Sequence, residues 1–137
     1  SSGDTCGSVD ATFLYARSRQ VPAAKILVGV PFFGRSFDCG ALGLPFTTSE
    51  GWSYADIMAL PSNEWSRTWD GEARVPYLRR NDGTRLISFD DMSSVGLKCQ
   101  YVKDKQAAGV IIWEIGEDYR SGAAELLEVI GRSFGAD

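Results

Sequence analysis

The sequence predicts an α/β fold: parallel βα units with a small α+β segment inserted between them. Three observations carry this. Lys25–Val30 and Gly109–Glu114 are continuous apolar runs of strand length, the pattern of strands buried on both faces of a parallel sheet. Helical apolar spacing flanks both runs. Between them, Asp38–Thr48 is rich in glycine, proline and threonine, and Asn81-Asp82-Gly83 further on separates two apolar alternations, a hairpin signal.

Taken in order, Ser8–Arg19 reads as a helix. Val9, Phe13 and Ala16 fall on one face, Ser8 can cap, and Pro22 ends the pattern. Lys25–Val30 is the first buried strand, closed by Pro31. Phe32 to Phe37 would then extend its carboxyl end, with Gly34 allowing a sharp turn. Ligands of parallel α/β folds bind at that end of the strands. Arg35 is therefore placed either to bind a substrate oxygen or to pair with a carboxylate.

Ser53–Leu60 reads as a short helix opened by Ser53 and Asp56 and followed by Pro61. Arg74–Arg79 and Thr84–Phe89 are the hairpin strands. Asp91 caps a helix running to Gln106, with Val95, Cys99 and Val102 inward and Lys103 and Lys105 suited to its carboxyl end. Ser121–Phe134 is the last helix, with Ala123, Leu127, Ile130 and Phe134 inward. Trp113 ends the central strand. It is either a ligand platform or a core tryptophan closing the sheet. Two buried strands with three helices leave strand edges and faces without partners. The chain is thus expected to be the tail of a larger βα-repeating fold, or to assemble with a missing piece. Its start at Ser1 without methionine agrees with a processed or partial chain.

Composition narrows function. The 137 residues fit one ordinary domain, 44% hydrophobic and 23% charged. A net charge of -4 without a basic cluster argues against nucleic acid and anionic membranes. No apolar run reaches the roughly 20 residues of a membrane helix. The absence of histidine removes Ser-His-Asp and Cys-His catalysis. Cys6, Cys39 and Cys99 lie too far apart in sequence for a metal motif. No metal or cofactor is implied. Trp52, Trp65 and Trp69 cluster in one region; aromatic faces suit sugar rings as well as cores.

Three stretches then carry a resemblance. Lys25-Ile-Leu-Val-Gly-Val-Pro-Phe-Phe-Gly-Arg-Ser-Phe37 resembles the seventh strand of family 18 glycoside hydrolases, the chitinases. Trp69-Asp-Gly-Glu-Ala-Arg-Val-Pro-Tyr-Leu78 is similar to their chitinase insertion domain. Ile87-Ser-Phe-Asp-Asp91, Lys98 to Lys103 and Gly109 to Asp118 are similar to their last helix–strand passage. The resemblance runs from about residue 8 to residue 134. It implies part of a (β/α)8 TIM barrel: residues 1–37 a helix and the seventh strand, 38–90 the α+β insertion domain, 91–137 a helix, the eighth strand and the final helix.

The resemblance also implies a site. Trp113 matches the tryptophan that floors the sugar subsite at the reacting centre. Arg35 matches an arginine lining the cleft, and Glu50 a glutamate that contacts sugar hydroxyls. Phe33 stands where many members carry a tyrosine, keeping the aromatic face without the hydroxyl. Tyr54 and Trp69 lie in the insertion with no assigned contact.

The family's Asp-x-x-Asp-x-Asp-x-Glu motif occurs nowhere among the 18 acids, nor does its Met-x-Tyr-Asp stretch. In the family's substrate-assisted scheme, an exception to the two-carboxylate rule, that glutamate donates the proton. No residue of this chain is therefore assigned catalysis. Asp91 reads as a helix cap, and Glu117 and Asp118 as caps for the helix that follows them. The implied parent is a secreted chitinase acting on β-1,4-linked N-acetylglucosamine polymers, with an N-terminal barrel portion as this chain's partner. The alternatives are an inactive chitin-binding relative and a stand-alone sugar-binding module.

Overall fold

The computed structural model describes residues 7–135; Cys6 lies outside them. Helix α1 spans Val9–Ser18. The Ser8 hydroxyl accepts from the Ala11 amide at 3.0 Å, and Gln20 in the left-handed region (φ 64°) ends the helix. A short 3-10 turn at Ala23–Lys25 delays β1 to Leu27–Pro31. Strand β7, Gly109–Trp113, lies parallel to it, from Leu27 opposite Gly109 to Pro31 opposite Trp113.

The register divides this pair into two faces. Val30, Val110 and Ile112 turn toward a core shared with Val95 and Cys99 of α3 (Met92–Asp104) and with Leu126 and Ile130 of α4 (Glu125–Phe134), and Val28 is buried on the same face. Leu27, Gly29, Ile111 and Trp113 are on the opposite, exposed face. The sequence predicts burial on both faces. Only one is buried, because helices cover one side and β1 and β7 form a sheet of just two strands among the described residues.

A five-stranded antiparallel sheet follows, ordered β3-β2-β6-β5-β4. Its strands are β2 (Phe33–Phe37), β3 (Ser49–Ser53), β4 (Trp65–Asp70), β5 (Val75–Arg80) and β6 (Leu86–Phe89). The Asn81-Asp82-Gly83 turn joins β5 and β6 as predicted. Strand β2 differs: Phe33–Phe37 does not prolong β1 but opens this second sheet. Gly34 is a packing position and not a turn, since a Cβ there would sit 2.6 Å from Ile57 Cδ1 and 2.8 Å from Phe89 Cβ. With glycine and serine at its two buried positions, β2 shows no apolar alternation.

Strands β3 and β4 are equally hidden in the sequence. On β4 only Trp65 is buried, while Arg67 and Trp69, which share its face, are exposed. Arg67 interrupts the apolar period because it pairs with the buried Asp91 carboxylate and lies over the Phe89 ring at 5.5 Å. Pro76 is tolerated in β5 because the ladder to β6 begins only at Tyr77.

Helix α2, Tyr54–Met58, covers the sheet, its Ser53 cap accepting from the Asp56 amide at 3.0 Å. Asp91 caps α3 in a capping box with Ser94, and Val95, Cys99 and Val102 are buried as predicted. Helix α4 starts four residues later than expected. Ser121 and Gly122 take left-handed φ values of 53° and 86° in a small hairpin of β8 (Tyr119–Arg120) and β9 (Ala123–Ala124). Its inward residues are accordingly Leu126 and Ile130, while Phe134 is exposed. Asp118 Oδ2 caps it, accepting from the Leu127 amide at 2.9 Å.

Candidate functional site

Phe32 is the joint between the two sheets. Its ring is fully buried, its amide donates to the Trp113 carbonyl at 2.8 Å, and its carbonyl accepts from the Tyr54 amide at 2.9 Å. One residue thus separates the end of the parallel pair from the start of the antiparallel sheet. Trp113, at the carboxyl end of β7, is 70% exposed, and its peptide bond to Glu114 is cis. Trp113 thus leaves a large aromatic surface in water at the strand end, on the same uncovered face as Leu27 and Ile111.

Beyond the joint, Phe33, Arg35 and Phe37 share one face of β2. They line a cavity of about 210 Å³ with Pro31, Val75, Ser88 and Asp90. Pro31 is the register partner of Trp113, so the platform adjoins the cavity's first wall. The volume is below the roughly 300–1,000 Å³ of a closed small-molecule pocket, and the space is open. Aromatic faces beside a guanidinium give this lining an amphipathic character.

Arg35 is exposed, and its Nη1 donates to the Ser49 hydroxyl at 3.1 Å. That leaves further donors of its planar fork free to meet a ligand. Glu50 is placed apart. It pairs in register with Ser36, on the face opposite Arg35, and Arg85 Nη1 lies 3.3 Å from its Oε2. Among the site residues read from the sequence, the fold therefore groups Trp113, Phe33 and Arg35 along one seam and sets Glu50 on the edge strand behind it.

The adjacent acids Asp90 and Asp91 have structural roles. Asp90 is buried between the Lys98 ammonium and the Ser94 hydroxyl, which donates to its Oδ1 at 2.7 Å. Asp91 caps α3 and holds Arg67. Tyr54 is buried, its hydroxyl donating to Glu125 Oε2 at 3.1 Å. Burial first, and the Glu125 carboxylate second, push that phenol well above its usual range. Trp69 lies on β4, partly exposed. Sequence reasoning did not single out Phe37, Ser88, Val75 and Asp90 as cavity residues. The period of two from Phe33 through Arg35 was the available signal for Phe37; the others needed the strand register.

A sequence profile described as Glycosyl hydrolases family 18 matches residues 3–118. The chain belongs to glycoside hydrolase family 18. Chitinase A1 of Niallia circulans is 38% identical over 113 residues, covering 72% of this chain and 16% of that protein. Chitinase B of Serratia marcescens is 29% identical over 147 residues, covering 85% of this chain and 29% of that protein. Among solved structures, a family 18 N-acetylglucosaminidase from Paenibacillus barengoltzii superposes with a TM-score of 0.81 at 33% identity, over 97% of this chain and 41% of its own.

The cell-surface-expressed chitinase ChiW of Paenibacillus sp. str. FPU-7 gives a TM-score of 0.81 at 28% identity, over all of this chain and 17% of its own. The chain thus spans well under half the length of these family 18 relatives. Its architecture is a segment of their α/β TIM barrel carrying a small sheet-rich α+β part.

Proposed function

We propose that this chain forms the sugar-binding wall of a family 18 chitinase, and that the catalytic acid lies in an N-terminal barrel portion outside it. The observation carrying the reading is the seam itself. Trp113 is an exposed aromatic platform beside the cavity of Phe33 and Arg35, on the side of the parallel pair left without cover. Trp113 stacks a sugar ring, Arg35 donates to a sugar oxygen, and Phe33 supplies a second aromatic face without a hydroxyl. Glu50 contacts the substrate only where it passes the edge of β3.

The substrate class is β-1,4-linked N-acetylglucosamine, and hydrolysis is retaining and substrate-assisted. The absent glutamate protonates the leaving oxygen while the substrate's acetamido oxygen attacks the anomeric carbon. This chain's part is to hold the ring and orient it. Residues 38–90, together with strand β2 that opens their sheet, act as the cleft wall, and the rest of residues 1–37 with residues 91–137 as barrel. Since chitin is outside cells, the proposal carries a secreted or surface location with it.

The test pairs two preparations. The purified chain should release no product from chitin oligosaccharides, whereas the full-length protein should hydrolyse them. Turnover by the chain alone refutes the division of labour. In the full-length protein, Trp113→Ala should weaken oligosaccharide binding by roughly 1–3 kcal/mol, by analogy with base–aromatic stacking. Unchanged affinity on calorimetry removes Trp113 from the site.

A further inference from the structure

Strand β2 ends in an aromatic pair that carries the cavity's lining outward. The Phe37 ring lines the cavity and meets Phe46 edge-on, with centroids 4.8 Å apart. Phe46 belongs to the loop after β2, which also presents Leu42 and Leu44. These three large apolar side chains are 50–53% exposed.

The loop carrying them is firmly anchored. Asp38 Oδ1 accepts from the amides of Thr47 and Thr48 at 2.8 Å each, and the Thr47 hydroxyl donates to Asp38 Oδ2. The Thr47 hydroxyl first, then the Thr48 amide, hold the Asp38 carboxyl well below the usual carboxylate range. On its other side the loop lies so close to the β5–β6 turn that a Cβ at Gly40 would collide with the Gly83 carbonyl. An anchored loop with a solvent-facing apolar tip has the geometry of a preorganised contact surface.

We infer that Phe37 and Phe46, with Leu42 and Leu44 at the tip, form an outer platform for distal sugar rings of the polysaccharide held at Trp113, Phe33 and Arg35. The inference rests on the proposed sugar site. It commits to that occupant because the surface is continuous with the cavity: Phe33, Arg35 and Phe37 alternate along one face of one strand. Four residues of strand separate Phe33 from Phe37, roughly 13 Å. That span exceeds one ring, so a monosaccharide at Phe33 cannot reach the pair while an oligomer can. Edge-on packing against Phe37 fixes the Phe46 ring, which lowers the entropic cost of stacking on it.

The experiment uses the full-length protein and two probes, the disaccharide and the hexasaccharide of β-1,4 N-acetylglucosamine. Phe46→Ala should weaken hexasaccharide binding roughly ten-fold and leave the disaccharide unchanged. Phe46→Leu, which keeps apolar volume without a flat ring, should behave like Phe46→Ala. Trp113→Ala in parallel should weaken both probes.

Full rescue by leucine, equal losses on both probes, or no loss on either would overturn the platform. If Trp113→Ala leaves the disaccharide unaffected, the inner site is wrong, and that failure is visible separately from the Phe46 result. Circular dichroism and thermal melting of each variant show whether the fold is intact. A chain-length-dependent loss accompanied by a matching fall in melting temperature counts against the inference.

Discussion

The two sheets of this chain are built from similar residues and finished to different degrees. In the antiparallel sheet, Leu78, Ile87, Phe89 and Trp65 are buried in the shared core. In the parallel pair, Leu27 and Ile111 are 50% and 56% exposed. Both residue types favour burial, and burying either is worth roughly 1.5–3 kcal/mol. The difference is one of cover and not of sequence quality. Strands written for a two-sided environment keep a water-exposed apolar face when only one side is supplied, and the site lies where the finished and unfinished parts meet.

The comparison breaks most easily at two isoleucines. Ile87 is fully buried, and Ile87→Ala should cost roughly 2–5 kcal/mol by removing packed methyl groups and leaving a cavity. Ile111→Ala in this chain should fall within about 0.5 kcal/mol of the parent, as for other exposed positions. Urea denaturation reads both. If the proposed N-terminal portion completes a barrel over this face, Ile111 is covered in the full-length protein and the same substitution should approach the cost at Ile87. An equally small effect in the longer protein would show that nothing covers this face.

Legibility in the sequence followed the same division. The parallel strands, the capped helix α3 and the Asp-Gly hairpin were readable because their signals are local and repetitive. Strands β2, β3 and β4 were not. Gly34 and Ser36 occupy the buried positions of β2, and on β4 only Trp65 is buried while Arg67 reaches a distant carboxylate. Each is explained only by a partner distant in sequence: Ile57 and Phe89 for Gly34, Asp91 for Arg67. Of the candidate site, Trp113, Phe33 and Arg35 are residues the sequence and its resemblance single out. That Glu50 faces away from them depends on the register of β3 against β2, which the sequence does not display.

Two tyrosines sharpen the contrast by titration. Tyr54 links α2 to Glu125 on α4, and Tyr101 links α3 to Asp10 on α1 at 2.8 Å. Burial, aided by the facing carboxylate, raises both phenols, Tyr101 to about 12 and Tyr54 further. A raised folded-state value means that the neutral phenol stabilises the fold fully below the unfolded value of 10.0. That contribution is lost as pH climbs through the folded value. Melting temperature should therefore be insensitive to these groups near neutrality and fall above about pH 10. Tyr54→Phe should cost on the order of 1 kcal/mol at pH 7 for the lost hydrogen bond. It should also flatten part of the alkaline decline. An unaltered alkaline slope would remove Tyr54 as a contributor.

The smallest effect separates the two faces of the edge strand. Glu50 and Arg85 are 59% and 34% exposed in their side chains, so Glu50→Gln should cost less than about 1 kcal/mol of stability. Its consequence for binding depends on where the sugar chain runs. A substrate lying along Phe33, Arg35 and Phe37 meets Arg35 directly and Glu50 only around the edge of β3. Arg35→Lys, which loses the planar fork, should then reduce oligosaccharide affinity more than Glu50→Gln does. The reverse order would mean that the chain of sugars wraps the β3 edge. The Glu50–Arg85 pair would then be a contact that substrate opens, and the cavity behind Arg35 would lose its place as the main path.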